Sequence, residues 1–556
     1  VFGLSPSPWT VSDIITVGRL AATDVSWISW LNIWPLQSRP DWPDLWNSLL
    51  KNASTSIVAE AETATDNPQL ALLNNLLSGM SRSGSNSLAI DSTRTQSGGA
   101  LIASDPHLGF MIPNTWILAG IKSPSYHMTG LMIPGLPFIA IGRNRDIAWG
   151  GTNLRAASSD LFDVSEIPSN QIIERQEKIK VRWWFDSNVT LRDTTFGPIL
   201  SDSPLLDSSE KSDVALRWAG HLISDEFSAM LEMNRATNWE TFISAFENFS
   251  VSAQNMIYAD SSGNIGRLMA AQLPTRTKGK PSFIQNPRDG QNAWEKIVGV
   301  RQLPMSLNPK DGFIVSANNR PPPAEIPVGY FFSPDDRALR LKSLVENNDS
   351  VTIDDLRSVQ TDVIEPGAVK IIKAFSAVVE RYELRDDLSR DAQKMLQLIE
   401  KWDGGYRADT NEPVAFEITL HTFIEEFYIP QLQETGLKAF LSVTDLGKTI
   451  PEDLLHISDP RSARALKAGL EKAAGEIDEF PTWGDMHRLR LRHPLGAVPI
   501  IGELTLLPGV SSFVSVSFFS SFGNCLLNSK FLSFVSVFCS GLSVVIFSFN
   551  VLLSKL

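Results

Sequence analysis

Cysteine is absent from the first 524 of 556 residues; Cys525 and Cys539 are the only two, and both fall in the C-terminal tail. The body of the chain therefore has no disulfide framework, no thiolate metal site and no cysteine nucleophile. That lack is compatible with either the periplasm or the cytoplasm. Basic excess is also missing: 49 Lys and Arg stand against 62 Asp and Glu, a net charge of −13. Such a balance argues against nucleic acid as a partner and for solubility. There is no phosphate-cradling glycine loop and no Gly-x-Ser-x-Gly elbow. His487 and His493 lie six apart with no glutamate in zincin spacing, and His127, His221, His421 and His456 are scattered, so zinc chemistry has no support. The chain opens at Val1, and its first thirty residues lack the basic, apolar, small-residue order of a signal peptide. It reads as cut at the front.

What is present is a soluble, globular composition, 43% apolar and 20% charged, long enough for two or three domains' worth of structure. Residues 1–59 read as helical: Trp27, Trp30 and Trp34 recur at helical spacing on one buried face, and Pro35 ends the run. Residues 60–84 form a spacer closing on Ser81-Arg82-Ser83-Gly84, small and polar enough to be reached and cut. Residues 85–510 start strand-rich. Ala100–Ala103 and Pro137–Ile141 are short apolar runs, and Tyr258–Ile265 predicts a hairpin around Ser-Ser-Gly-Asn. Helical periodicity returns between about 336 and 402, with one helix expected from Leu384 through Trp402 and closed by Gly404-Gly405. Strands and segregated helices together predict an α+β fold.

The tail, 511–556, is almost entirely Ser, Phe, Val and Leu, and no acidic residue follows Glu503. Its stretch 531–554 has 24 uncharged residues, enough to span a bilayer as a helix. Three readings stand in order: out-of-frame or intronic sequence, a membrane anchor, and a true core segment.

One series of short motifs carries more chemistry than the rest. Gly84-Ser85-Asn86 is followed by Asp105-Pro106-His107-Leu108-Gly109, Pro134-Gly135-Leu136-Pro137, and Gly142-Arg143-Asn144 through Trp149-Gly150-Gly151-Thr152-Asn153. Farther on come Tyr258-Ala259-Asp260, Asn318-Asn319, Asp336-Arg337, Gln360-Thr361-Asp362, Trp402-Asp403-Gly404, Trp483-Gly484 and His493-Pro494-Leu495-Gly496. Each alone is weak; the ordered set resembles the penicillin acylase family, whose members act on penicillins, N-acyl homoserine lactones and cephalosporins. The resemblance covers roughly residues 8–505. It implies an N-terminal-nucleophile (Ntn) hydrolase with a four-layer αββα core, a helical N-terminal segment and peripheral helices. It also implies a hydrolase of linear amide C–N bonds, made as one precursor that yields an α- and a β-chain.

Carried over by position, Ser85 would be the nucleophile, freed when the chain cuts itself between Gly84 and Ser85. Its own α-amino group would be the base, since such a group titrates at about 7.7–8.0 and is partly neutral near pH 7. The side-chain amide of Asn318 and the backbone N–H of Asn153 would receive the oxyanion. His107 would tune the amine by hydrogen bonding, and Arg337 would hold Asn318 or a polar part of the substrate. Leu20, Leu108, Ile141 and Gly151 fall where relatives line the acyl pocket; being aliphatic or small, they favour a flexible aliphatic acyl chain over an aromatic ring. Leu88 stands where many relatives carry tryptophan.

Calcium is expected to bind poorly or not at all, and no other cofactor is implied. Of the acidic ligand positions in relatives, one falls near Trp30, another on Ala157, and only Asp160 keeps its carboxylate, against the six to eight oxygens calcium takes. The resemblance implies a small N-acyl amide as the bound partner and a periplasmic or extracellular location. The competing reading is a truncated, non-catalytic relative, held at a membrane through 531–554.

Overall fold

The computed structural model describes residues 8–22, 33, 36–37, 39–51, 84–107, 114–180, 185–202, 213–276, 283–288, 294–456, 459–487, 534–539 and 542–547. Its centre is a pair of stacked antiparallel sheets. One has five strands in the order Phe313–Ser316, Ser85–Ile90, Leu101–Pro106, Phe534–Cys539 and Leu542–Phe547. The other has seven: Ser306–Leu307, Ile265–Ala270, Gln254–Asp260, Ile147–Asn153, Ile141–Arg143, His127–Met132 and Ile117–Lys122.

Strand alternation sorts the side chains into layers. Ala89, Ala100, Ile102 and Ile314 point from the first sheet to Ala148, Ile257, Ala259 and Ile265 of the second, forming one buried cluster. Many of these residues are alanine, so the sheets can approach closely. On the opposite face of the five-stranded sheet, Leu88, Ile90 and Leu101 pack with Val345, Val351 and Leu356. These last belong to, or border, helices Asp336–Val345 and Ile353–Gln360. On the outer face of the seven-stranded sheet, Trp149, Tyr258 and Leu268 pack with Met233, Phe242 and Ala245 of helices Glu226–Met233 and Trp239–Ala245. The order is helix, sheet, sheet, helix, as the motif series implies.

A separate helical mass adjoins these layers. Helices Pro366–Arg381, Arg390–Lys401, Glu412–Val443, Leu446–His456 and Pro460–Glu476 share a core that includes Phe375, Leu396, Phe416, Phe423 and Leu466. Trp46 of helix Trp42–Lys51 joins it. Helix Val11–Ala21 is tied on through Arg19, which donates to Gly220 O (2.9 Å) and Ser224 Oγ (2.6 Å) and pairs with Glu226 (3.1 Å).

The expected hairpin is present: Ala259 pairs with Ile265, and Gly263 takes the left-handed φ of +89° that the turn requires. Two elements differ from their sequence pattern. The helix expected from Leu384 begins at Arg390, because Ser389 caps it by accepting from Ala392 N (3.1 Å), and Leu384–Asp387 forms a short 3₁₀ turn. The run Pro137–Ile141 contributes only its last residue to a strand, Ile141–Arg143, since the Ile139 N–H and carbonyl are bonded to the Asn234 side chain. Trp27, Trp30 and Trp34 lie outside the described residues. Among the described residues no helix is long and apolar enough to cross a membrane. Those of the 531–554 stretch form two strands instead of the bilayer-length helix, the first paired with Leu101–Ser104.

Candidate active site

Register alone assembles the site. Ser87 pairs with Ser316, so the same antiparallel ladder extended two residues sets Ser85 opposite Asn318. On the other side Ser85 pairs with Pro106, which sets Gly84 opposite His107. Ser85 thus begins a strand flanked by both candidate partners. The bonds follow: Ser85 N donates to Asn318 Oδ1 (2.6 Å), and His107 N donates to Gly84 O (2.9 Å), the carbonyl of the bond expected to break.

Asn318 has φ +59°, a left-handed conformation that asparagine tolerates better than most residues. It turns the side chain back toward Ser85 instead of prolonging the strand. Arginine has donors only, so Arg337 Nη2 at 3.2 Å and Ser85 N together assign the oxygen side of the Asn318 amide. Its Nδ2 then donates to Asn153 O at 2.9 Å. Leu154 N bonds Ala253 O in the neighbouring pair. By ladder alternation the N–H and C=O of Asn153 therefore both face away from strand Gln254–Asp260, toward Asn318. The two expected oxyanion donors meet at one place.

Arg337, from the first turn of helix Asp336–Val345, links the parts. It donates to Ser85 O (2.9 Å), Asn86 Oδ1 (2.6 Å) and Ala317 O (2.6 Å). Burial pushes its pKa down to about 10, opposed by the charges of Glu365 and Asp105, so it stays cationic at neutral pH. Arg155, fully enclosed, is pushed down to about 9 by burial and by the Arg337 charge. Burial raises Glu365 to about 8. His107 Nε2 lies 2.9 Å from Asp105 Oδ2. A Cβ on Gly84 would sit 3.0 Å from Arg337 Nη2 and 3.3 Å from His107 Nδ1, so glycine lets both side chains close on the bond.

The structure thus brings together Gly84, Ser85, His107, Asn153, Asn318 and Arg337. The acyl-pocket positions are spread wider. Ile141 is buried; Gly151 faces the helix side of its sheet, where a Cβ would meet Met256 Sδ at 3.2 Å. Leu20 belongs to helix Val11–Ala21 but its side chain, like all of Leu108, lies outside the described residues. Asp160 is bonded to Arg276 Nε (2.8 Å) and Trp294 Nε1 (2.6 Å). Among the described residues no group of three or more His, Cys, Asp or Glu could hold a metal.

Several contributors have no assigned role in the sequence pattern. Asn86 lies inside the first motif and Arg155 two residues beyond Asn153. Ser316, Ser87 and Ser104 form a row across three strands. Ser316 Oγ meets Asn255 Nδ2 (2.6 Å) and Thr152 Oγ1 (2.8 Å) of the facing sheet, and Ser104 Oγ accepts from Gly151 N (3.2 Å). Only their inward parity, two residues from Ser85, Asn318 and the Ser85-paired Pro106, could have marked them.

A family model described as penicillin amidase matches residues 1–526. The chain belongs to the penicillin amidase family. It is 23% identical to penicillin acylase 2 proenzyme of a Pseudomonas species, over 74% of this chain and 56% of that protein. It is 24% identical to acyl-homoserine lactone acylase QuiP of Pseudomonas fluorescens, over 78% and 58% respectively. The chain thus spans a little over half the length of these relatives. Its fold matches the thermostable penicillin G acylase of Alcaligenes faecalis with a TM-score of 0.62, at 19% identity, covering 82% of this chain and 88% of that one. The α+β layering of this chain is thus the architecture of that solved structure.

Proposed function

We propose that this penicillin amidase family member hydrolyses an N-acyl amide through Ser85, after cutting its own chain between Gly84 and Ser85. The observation that carries the reading is Ser85 N bonded at 2.6 Å to Asn318 Oδ1 while His107 N holds Gly84 O. In self-cleavage the Ser85 hydroxyl adds to the Gly84 carbonyl, and His107 N–H receives the developing oxyanion. Collapse breaks the C–N bond, leaves an ester on Oγ and a free amine on Ser85, and water hydrolyses the ester to a Gly84 carboxylate. Asn318 Oδ1 then retains the new amine, the site's base, beside the hydroxyl.

In turnover the amine takes the Ser85 proton as Oγ attacks the substrate carbonyl. Asn318 Nδ2 and Asn153 N–H supply the oxyanion donors; the proton passes to the departing amine, and water clears the acyl-enzyme. The α-amine shares the Asn318 oxygen with the Arg337 cation, whose charge favours the amine's neutral form. An acyl-homoserine lactone or β-lactam amide with an aliphatic acyl chain fits the relatives' names and the aliphatic or small residues Leu20, Leu108, Ile141 and Gly151.

N-terminal sequencing of the purified protein tests this. It should read Ser-Asn-Ser for one fragment, whereas Ser85→Ala should stay uncut and inactive. A folded, uncut wild-type chain that cleaves acyl-homoserine lactones at the normal rate would refute it.

A further inference from the structure

The surroundings of Asp160 form a cation site made of oxygens, and its cation is part of the chain. Asp160 and Arg276 are each only 4% exposed at the side chain. Besides Asp160 Oδ2, the Arg276 guanidinium reaches three carbonyl oxygens: Ala157 O at 2.8 Å, Pro274 O at 3.4 Å and Ser159 O at 3.5 Å. Trp294, paired with Arg276 across strands Leu273–Arg276 and Trp294–Val298, donates to the same Asp160 oxygen. Arg217 pairs with Asp160 across its own ladder and lies 4.7 Å over the Trp294 ring. A divalent ion needs several carboxylate and carbonyl oxygens left free. Here the one carboxylate and its neighbouring carbonyls already face a fixed positive charge, so the residues do not fit calcium.

We propose that the Arg276 guanidinium does the work of a bound metal ion, gathering Asp160 and the carbonyls of 157, 159 and 274, and so pins the segment that leads out of Asn153. That segment has little regular structure of its own. Bonds that also hold it include Leu154 N to Ala253 O (2.9 Å), Arg155 N to Asn153 Oδ1 (2.8 Å), Ala157 N to Val328 O (2.6 Å) and Ala219 N to Ser158 O (2.8 Å). The guanidinium adds a planar fork with several donors, which a point charge would lack. The pinning of residues 157–159 holds whichever amide is cut.

The test is thermal unfolding of the full chain with calcium chloride or EDTA. Wild type should move by less than about 1 °C with either, since no ligand binds the native state there. Arg276→Ala should lose about 5–10 °C, and millimolar calcium chloride should restore part of that loss by entering the vacated oxygens. Arg276→Lys should fall between the two and ignore calcium. A wild type shifted several degrees by EDTA or calcium would overturn the proposal even if Arg276→Ala does not fold. So would a destabilised Arg276→Ala that calcium leaves unchanged, because Arg276 would then be an ordinary ion pair.

Discussion

In the proposed mechanism the side-chain amide of Asn318 has two duties, which one substitution can separate from its backbone. Its φ of +59° suits glycine as well as asparagine, so Asn318→Gly removes the amide while keeping the turn. Turnover of matured enzyme should fall about a hundred- to a thousand-fold, mostly in kcat, as expected for a lost oxyanion donor. Steady-state kinetics on an acyl-homoserine lactone would show it, and a kcat within about threefold of wild type would remove Asn318 from the oxyanion site. At this scale the sequence was most informative where chemistry is local. Ser85, His107, Asn153, Asn318 and Arg337 each sit in a short motif, and all five converge. Asp160 was visible as a lone carboxylate, but its partner Arg276 lies 116 residues away. Nothing in a chain's local pattern announces an ion pair closed by tertiary structure.

Capping decides where elements begin, and here it overrode periodicity. Apolar spacing suggested one helix from Leu384, yet Ser389 starts it later by accepting from Ala392 N (3.1 Å) while its hydroxyl donates to Glu471 Oε2 (2.6 Å). The bond to Glu471 also ties helix Arg390–Lys401 to helix Pro460–Glu476. Ser389→Ala should therefore cost about 1–2 kcal/mol, a cap plus one charge-assisted bond, read from the urea midpoint. A change below about 0.3 kcal/mol would show that helix packing alone sets this boundary. The hairpin at Tyr258–Ile265 was legible for the converse reason, since Ser-Ser-Gly-Asn dictates a turn whatever packs on it. Strand His127–Met132 was not, because Gly130 interrupts its pattern: its φ is +156°, and a Cβ there would lie 2.1 Å from Ile141 O.

Across the whole molecule, two enclosed carboxyls set a pH response. Burial raises Glu417, which accepts from the Tyr406 hydroxyl, to about 8, and burial raises Glu365 to about 8 as well. A carboxyl whose folded pKa lies above its unfolded value contributes its stability fully below the unfolded value. That contribution is lost as pH rises through the folded one, here from about 4.5 to about 8. Glu417→Gln keeps an acceptor for Tyr406 and removes the titration. Its melting temperature should decline less than that of wild type over this range, and parallel curves would show that Glu417 ionises as freely folded as unfolded. The four layers were foreseeable from the motif series. The helical mass beyond 402 was less so, because its buried faces are defined by one another.

Ser85 opens a strand held on both sides, by Phe313–Ser316 and by Leu101–Pro106, with Arg337 fastened to its first two residues. Severing the preceding bond would consequently free an end without freeing a strand. The newborn terminus would stay anchored in mid-sheet, and both pieces should travel through gel filtration as one particle, parting only when the molecule itself unfolds.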